Sequence, residues 1–201
     1  MHPRDFKIPG QIEVHNLKEN RFYVEGKPLK GTIIDLETIG HIRNEFRDTR
    51  RYEKVKPYLF GYLNGNTIVQ KYVEKPDHIT QLVQWIKKTI LTDLFLKPLY
   101  AFFTEFESGV IYCATGINVN FDRELKKGPG GKESIVKKLG ISAYDDPFPG
   151  VGVKCIDEFK RGNIENCLKH NQACLLKERD ILFKRGFVDP DKIEFHDLVT
   201  L

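Results

Sequence analysis

The sequence predicts an α/β fold with a mixed β-sheet, in which an antiparallel meander is joined through a helix to a parallel strand. Three strand-like segments come first, at 32–37, 58–63 and 67–73, and the helix-like segment after them leads into a further buried strand. The chain has 201 residues, of which 40% are hydrophobic, so we expect a single domain over 1–201 with a sizeable core.

The N-terminal residues, 1–30, are predicted to form a β-rich, hairpin-like elaboration of the domain. Extended segments at 11–16 and 21–25 are separated by the turn-forming residues Lys18-Glu19-Asn20. Further along, Asn64-Gly65 separates two β-rich segments and indicates a tight hairpin turn, because both residues tolerate a positive φ.

Helices are predicted where apolar residues recur on one face and where residues that begin or end helices flank them. The segment 118–125 fits either a strand or a helix, and 127–132 is a glycine-rich loop. The other elements are a helix capped by Asp77 with apolar residues from Ile79 to Ile90, a strand at 98–103, a helix capped by Thr104 that stops near Gly116, and helices at 133–139 and 164–184.

Composition excludes several classes of protein. The net charge of +4 comes from 32 basic and 28 acidic residues, so the total does not indicate a strongly cationic nucleic-acid binder. The four cysteines form no CxxC pair, which predicts reduced thiols and a cytoplasmic location. We expect neither secretion nor a membrane partner, because the sequence has no run of about 18 apolar residues.

Two carboxylates on the first strong strand, Asp35 and Glu37, mark a candidate site. Residues two apart on a strand project from the same face, about 7 Å apart along the backbone. Thr38-Ile39-Gly40 is predicted to turn the chain sharply at the carboxyl end of this strand, where ligands bind in α/β sheets. Two hard oxygen ligands suit Mg²⁺ or Mn²⁺, and a solvated edge-strand pair is the alternative that the spacing allows.

Two segments resemble motifs of the DEDD exonucleases, a superfamily with a ribonuclease H-like fold. Ile33-Ile34-Asp35-Leu36-Glu37-Thr38 resembles the first motif, Asp-x-Glu-Thr. Phe103-Thr104-Glu105-Phe106-Glu107 follows a buried strand and resembles the second motif, Asn-x-x-Phe-Asp, with Phe in place of Asn and Glu in place of Asp. Asn118-Val119-Asn120-Phe121-Asp122 matches the letters better but follows a predicted helix, so Glu107 is preferred and Asp122 stays open.

The long helix resembles the third motif in its His-Asn-x-x-Asp form, through His170 and Asn171, and Cys174 stands where the family has its last metal-binding Asp. A thiol is a poor ligand for Mg²⁺, whereas Glu178, one helical turn further, lies on nearly the same face and offers a replacement oxygen. In the alternative interpretation, Cys174 and Cys167 belong to a buried stripe and Glu178 is a surface charge.

The resemblance implies a metal-dependent enzyme, a 3′-5′ exonuclease that hydrolyses phosphodiester bonds of single-stranded DNA or RNA. A catalytically degenerate ribonuclease H-like protein that binds nucleic acid or a protein partner is the main alternative, and an enzyme with a Cys174 nucleophile beside His170 is a third. The implied general base is His170, and the implied ligands for Mg²⁺ or Mn²⁺ are Asp35, Glu37, Glu107 and Glu178.

Two basic segments are predicted to line a path for single-stranded nucleic acid or its 3′ end, with ordinary solvated surface as the alternative. Segment 43–56 has six basic and three acidic residues, and segment 123–138 has six basic and two acidic residues. Residues 187–201 form an acidic tail with four acidic residues and one lysine.

Overall fold

The computed structural model describes residues 16–92, 95–126 and 130–185, which form a six-stranded mixed sheet with helices on both faces. This confirms the predicted α/β class. None of the helices in these residues is long and apolar enough to cross a membrane. The strands are β1 (Lys18–Tyr23), β2 (Thr32–Gly40), β3 (Val55–Asn64), β4 (Thr67–Tyr72), β5 (Leu99–Ala101) and β6 (Arg123–Glu124), and the helices are α1 (Ile79–Ile90), α2 (Thr104–Thr115), α3 (Lys132–Lys138), α4 (Lys154–Lys160) and α5 (Ile164–Arg185).

The strand order is β1-β4-β3-β2-β5-β6. Strands β2, β3 and β4 form the predicted antiparallel meander, and α1 then leads to β5, which pairs with β2 in parallel. Strand β6 continues the parallel part of the sheet beside β5. For the region 118–125 the sequence allowed either a strand or a helix. The structure has only the two-residue strand β6 in this region.

The predicted turn at Lys18-Glu19-Asn20 is wrong, because these residues belong to β1, which pairs with β4. Glu19 forms an ion pair with Lys71 of β4 at 2.7 Å. An edge strand keeps polar residues because one side faces water, so its sequence resembles a turn. The segment 11–15 lies outside the described residues.

The predicted turn after Glu37 is also wrong, because β2 continues to Gly40 and pairs with β3 along its whole length. The register shifts between Glu37 and Thr38, which is a β-bulge that bends the strand without ending it. Gly40 has φ 107°, and a Cβ there would lie 1.9 Å from the carbonyl oxygen of Lys54. Asp35 and Glu37 therefore lie in the middle of a strand.

Neither predicted helix cap forms. Asp77 lies in a short 3₁₀ helix, Pro76–His78, and makes no capping hydrogen bond to α1. Thr104 is the first residue of α2, and its hydroxyl donates to Glu124 Oε2 at 2.9 Å. This contact fastens the beginning of α2 to β6.

Two apolar clusters enclose the sheet. One contains Ile34 and Leu36 of β2 and joins them to α1 and α2, and it also includes residues of α4 and α5. The other contains Ile33 and joins it to α3 and α5. Alternate residues of β2 point to opposite faces, so Asp35 and Glu37 share the face of Ile33. Helix α5 packs on that face, and α4 packs against α5 and β2.

Candidate metal centre

Four buried carboxylates and one lysine interact with one another inside the protein. Asp35 and Glu37 come from β2, Glu107 from the first turns of α2 and Glu178 from α5, and each is at most 8% exposed. Lys132, the first residue of α3, donates to Asp35 Oδ1 at 3.1 Å and to Glu178 Oε1 at 2.5 Å. The structure thus brings together the four acidic residues that the sequence singled out.

The environment of the carboxylates favours their neutral forms or a cation among them. Burial, with the charge of Asp35 added to it, raises the pKa of Glu37 to about 8. Burial likewise raises the pKa of Glu178 to about 8 and the pKa of Glu107 well above its ordinary value. Burial alone would lower the pKa of Lys132, but Asp35, Cys174 and Glu178 raise it well above the usual value, so this ammonium stays charged.

Two carboxylate oxygens in this group, Glu107 Oε2 and Glu178 Oε2, are buried without a hydrogen-bond partner among the residues that the structure describes. A buried acceptor without a partner costs free energy unless something binds it. Carboxylate oxygens are also the ligands that Mg²⁺ and Mn²⁺ prefer. The donor chemistry of these residues therefore suits a hard divalent cation. Among the described residues, no three of the four carboxylates place ligand oxygens within 4.8 Å of one another, so the acids would have to close on the ion.

Asp122 lies outside the acidic group. Its Oδ2 accepts from the backbone N–H of Leu99 at 2.7 Å and from Lys97 Nζ at 3.1 Å, which ties the segment before β6 to the start of β5. Glu107 is the acid that the fold brings to Asp35, although Asp122 matches the family letters better. The informative signal in the sequence was position, directly after a buried strand and at the start of a helix.

A row of buried amides fixes Asp35 in place. Asn171, on α5, donates through Nδ2 to the carbonyl oxygen of Asp35 at 3.1 Å and to its Oδ2 at 2.8 Å. Asn171 Oδ1 accepts from Gln70 Nε2 of β4 at 3.0 Å. Gly61 of β3 lies between Asp35 of β2 and Gln70 of β4 in the sheet and pairs with both.

We expect Gly61→Ala to destabilise the protein by about 1–3 kcal/mol, because the new Cβ would overpack the site. This Cβ would lie 2.0 Å from Asn171 Oδ1. Chemical denaturation followed by circular dichroism measures the change. Gly131→Ala is the matched control, since a Cβ there meets nothing within 4 Å. Equal stability of the two variants would contradict the close approach of Gly61 to Asn171.

His170 is oriented by a carboxylate. Its Nδ1 lies 2.6 Å from Asp146 Oδ1, and the same carboxylate accepts from the N–H of Phe148 at 2.8 Å and from Lys177 Nζ at 2.7 Å. Burial would raise the pKa of Asp146, but the hydrogen bonds from His170 and Lys177 lower it to about 2. The pKa of His170 rises in turn, since its hydrogen bond to Asp146 and the charge of Glu37 outweigh burial. Because Asp146 engages Nδ1, the other ring nitrogen of His170, Nε2, faces groups other than Asp146.

Helices α3 and α5 are joined by two reciprocal ion pairs that the sequence did not reveal. Lys132 of α3 pairs with Glu178 of α5 at 2.5 Å. The next residue of α3, Glu133, pairs with Lys177 of α5 at 2.5 Å. Lys177 and Glu178 both have fully buried side chains, so the interpretation of Glu178 as a surface charge is wrong. Each helix carries a Lys-Glu dipeptide in the same order, at 132–133 and at 177–178, and this repeated dipeptide was the available signal.

Cys174 is buried, as the alternative interpretation holds, but its sulfur also faces the site. It lies 3.7 Å from His170 Nε2. Burial raises the pKa of this thiol well above its ordinary value. A nucleophilic thiolate is therefore disfavoured here, and the charge of Lys132 does not reverse that effect.

Three of the six basic residues in the first segment, 43–56, form ion pairs with acids. Arg43 pairs with Glu45 and Glu53, Arg50 pairs with Asp48, and Arg51 pairs with Glu105. In the second segment Lys132 belongs to the acidic group, and residues 127–129 lie outside the described residues, as does the predicted tail at 187–201. A phosphate path along the two segments stays a prediction.

No protein-family model, no curated protein and no solved structure matches this chain. Support for a function therefore comes from the residues of the site themselves.

Proposed function

We propose that this protein is a divalent-metal-dependent nuclease with a ribonuclease H-like fold, which removes nucleotides from the 3′ end of single-stranded DNA or RNA. The group of four buried carboxylates carries this proposal, because two of their oxygens lack a partner among the described residues. The antiparallel meander followed by parallel strands is compatible with the fold. The strand polarity comes from the resemblance of the motifs alone.

Asp35, Glu37, Glu107 and Glu178 are the residues that hold Mg²⁺ or Mn²⁺ in this proposal. When bound, the metal lowers the pKa of a water molecule and stabilises negative charge on the phosphate. Lys132 offsets part of the charge of the carboxylates, which allows them to lie together, and a divalent cation competes with its ammonium for Asp35 and Glu178.

The other residues of the site position groups and move a proton. Asn171 holds Asp35 through its side-chain amide. His170 accepts the proton of the attacking water at Nε2, because Asp146 occupies Nδ1 and so fixes the orientation of the ring. Lys177 keeps Asp146 charged, which supports the imidazolium that forms.

We expect Glu107→Gln to slow Mn²⁺-dependent hydrolysis on the order of 10²-fold, since a metal ligand is lost. Asp122→Asn is the matched control and leaves the rate within about twofold, because Asp122 contacts Leu99 and Lys97 and not the acidic group. The assay follows 5′-labelled single-stranded DNA and RNA on gels, with Mg²⁺ and Mn²⁺ in separate reactions. The reverse order of effects would assign the second-motif acid to Asp122.

A catalytically degenerate protein of the same fold, which binds nucleic acid or a protein partner, is the second candidate. It is favoured by Lys132, which already pairs with two of the carboxylates, and by Cys174 in the place of an acid. Calorimetric titration with Mn²⁺ separates the two candidates when it is combined with the hydrolysis assay. Metal binding without hydrolysis of any DNA or RNA substrate would favour the degenerate protein.

A further inference from the structure

A second group of metal-ligating side chains adjoins the acidic group and differs from it in chemistry. One ligand atom from each of Glu37, Cys155 and His170 lies within 4.8 Å of the others, and the same holds for Asp146, His170 and Cys174. The two sets share His170, and all of these side chains are buried. Nitrogen and sulfur donors of this kind select zinc and similar metals over Mg²⁺.

We propose that His170 and Cys174 anchor a binding site for a thiophilic divalent cation such as Zn²⁺. Glu37 and Cys155 lie within 4.8 Å of His170 as a separate set, and they would complete the site by closing on the bound ion. The anchoring pair has the spacing that the metal needs. Tetrahedral zinc with Zn–S of about 2.3 Å and Zn–N of about 2.0–2.1 Å separates the two ligand atoms by about 3.6 Å. His170 Nε2 and Cys174 Sγ lie 3.7 Å apart.

Three further contacts support the site. His170 and Cys174 are four residues apart on α5 and so occupy one helix face. The hydrogen bond that Nδ1–H of His170 donates to Asp146 is the outer-shell contact that zinc-binding histidines usually make, and it directs Nε2 to the metal. Gly152 leaves room beside Nε2, since a Cβ at this position would lie 3.3 Å from that nitrogen.

Zinc at this site has a consequence for the proposed nuclease, and this part of the inference rests on the proposed function. Binding engages the lone pair of His170 Nε2 and a carboxylate oxygen of Glu37, while the thiols of Cys174 and Cys155 release their protons to solvent. The general base and one ligand of the hard cation are then both occupied. Zinc is accordingly an inhibitor of Mn²⁺-dependent hydrolysis.

Titration of the full-length protein with Co²⁺, under a reductant that does not bind the metal, tests the site directly. We expect one equivalent of Co²⁺ to produce the visible bands of tetrahedral coordination and the near-ultraviolet thiolate-to-cobalt band. Cys174→Ser and Cys174→Ala should both weaken the thiolate band and lower Zn²⁺ affinity at least about tenfold in chelator competition. Cys113→Ser is the control and retains both signals, because this thiol lies on α2 beside the carbonyl oxygen of Thr49.

Absence of the thiolate band in wild type would overturn the proposal, and so would its full retention in both Cys174 variants or its loss in Cys113→Ser. Glu107→Gln retains the band, which distinguishes this site from the acidic group. The cobalt spectra need no catalysis, so they decide on the metal site even where no hydrolysis occurs. Where hydrolysis occurs, zinc should inhibit wild type at least about tenfold more strongly than Cys174→Ser.

Discussion

Asp35→Asn is expected to reduce the Mg²⁺- and Mn²⁺-dependent hydrolysis of single-stranded nucleic acid that we propose for this protein by at least about 10³-fold, which corresponds to about 4 kcal/mol of transition-state stabilisation. Asp35 contacts Lys132 at 3.1 Å and lies beside Glu178, so it is at the centre of the acidic group. The asparagine retains an oxygen that accepts the hydrogen bond from Asn171, and the fold should therefore persist. Gel assays measure the loss of hydrolysis, and calorimetry measures the accompanying loss of Mn²⁺ binding.

Glu74→Gln serves as the control for this experiment, because Glu74 is an exposed acid that pairs with Lys18. It should change neither hydrolysis nor Mn²⁺ binding. Circular dichroism and thermal melting establish that both variants are folded. Hydrolysis in wild type that survives Asp35→Asn at more than about a tenth of the rate would exclude this carboxylate from the reaction.

The largest effect on stability is expected from Lys177→Met, which should lower the free energy of unfolding by about 3–5 kcal/mol. The Lys177 side chain is fully buried and donates to Glu133 at 2.5 Å and to Asp146 at 2.7 Å. Methionine fills similar space but leaves the buried Asp146 carboxylate without a cation at Oδ2, with His170 and the N–H of Phe148 as its remaining partners at Oδ1. Denaturation in urea at neutral pH measures the difference.

The same substitution should change the response to acid. The pKa of Asp146 is lowered from 3.8 to about 2 in the folded protein, so its contribution to stability is present above the higher value and lost as pH falls through the lower one. Without the ammonium of Lys177, the folded-state pKa rises, and the variant should lose this contribution at higher pH than wild type.

Lys169→Met is the matched control on the same helix. The Lys169 side chain is 58% exposed and lies 3.6 Å from Glu165, and such surface pairs contribute about 0–1 kcal/mol. A cost for Lys177→Met as small as that of Lys169→Met would show that the buried ion pairs between α3 and α5 contribute little.

Local patterns were sufficient to predict the centre of the sheet. The meander and the strand with Asp35 and Glu37 were predictable because β-rich segments and an Asn-Gly turn lie close together in sequence. The first half of β1, Lys18 to Asn20, was taken for a turn because β1 is a polar edge strand whose partner, β4, follows much later in the chain. The bulge after Glu37 depends on pairing with β3, which no segment of β2 alone can reveal.

The candidate site was predictable as a set of acids but not as a network. Glu107 and Glu178 were identified from their positions on helices, and both lie in the acidic group. Lys132 was missed as a site residue because it is 97 positions from Asp35, and a lysine at the start of a short helix usually faces water. Asp146 likewise reaches His170 from a loop 24 positions earlier.

Asp35, Gly61 and Gln70 lie side by side on three paired strands, and their contacts with Asn171 fix the register of these strands. A slip of one residue would turn Asp35 to the opposite face and place Phe60 or Tyr62 where only glycine leaves room for Asn171. Correct strand alignment is therefore a condition for assembling the acidic group around Asp35. A chain with misaligned strands would therefore lack the acidic group, because Asp35 would lie on the opposite face of the sheet.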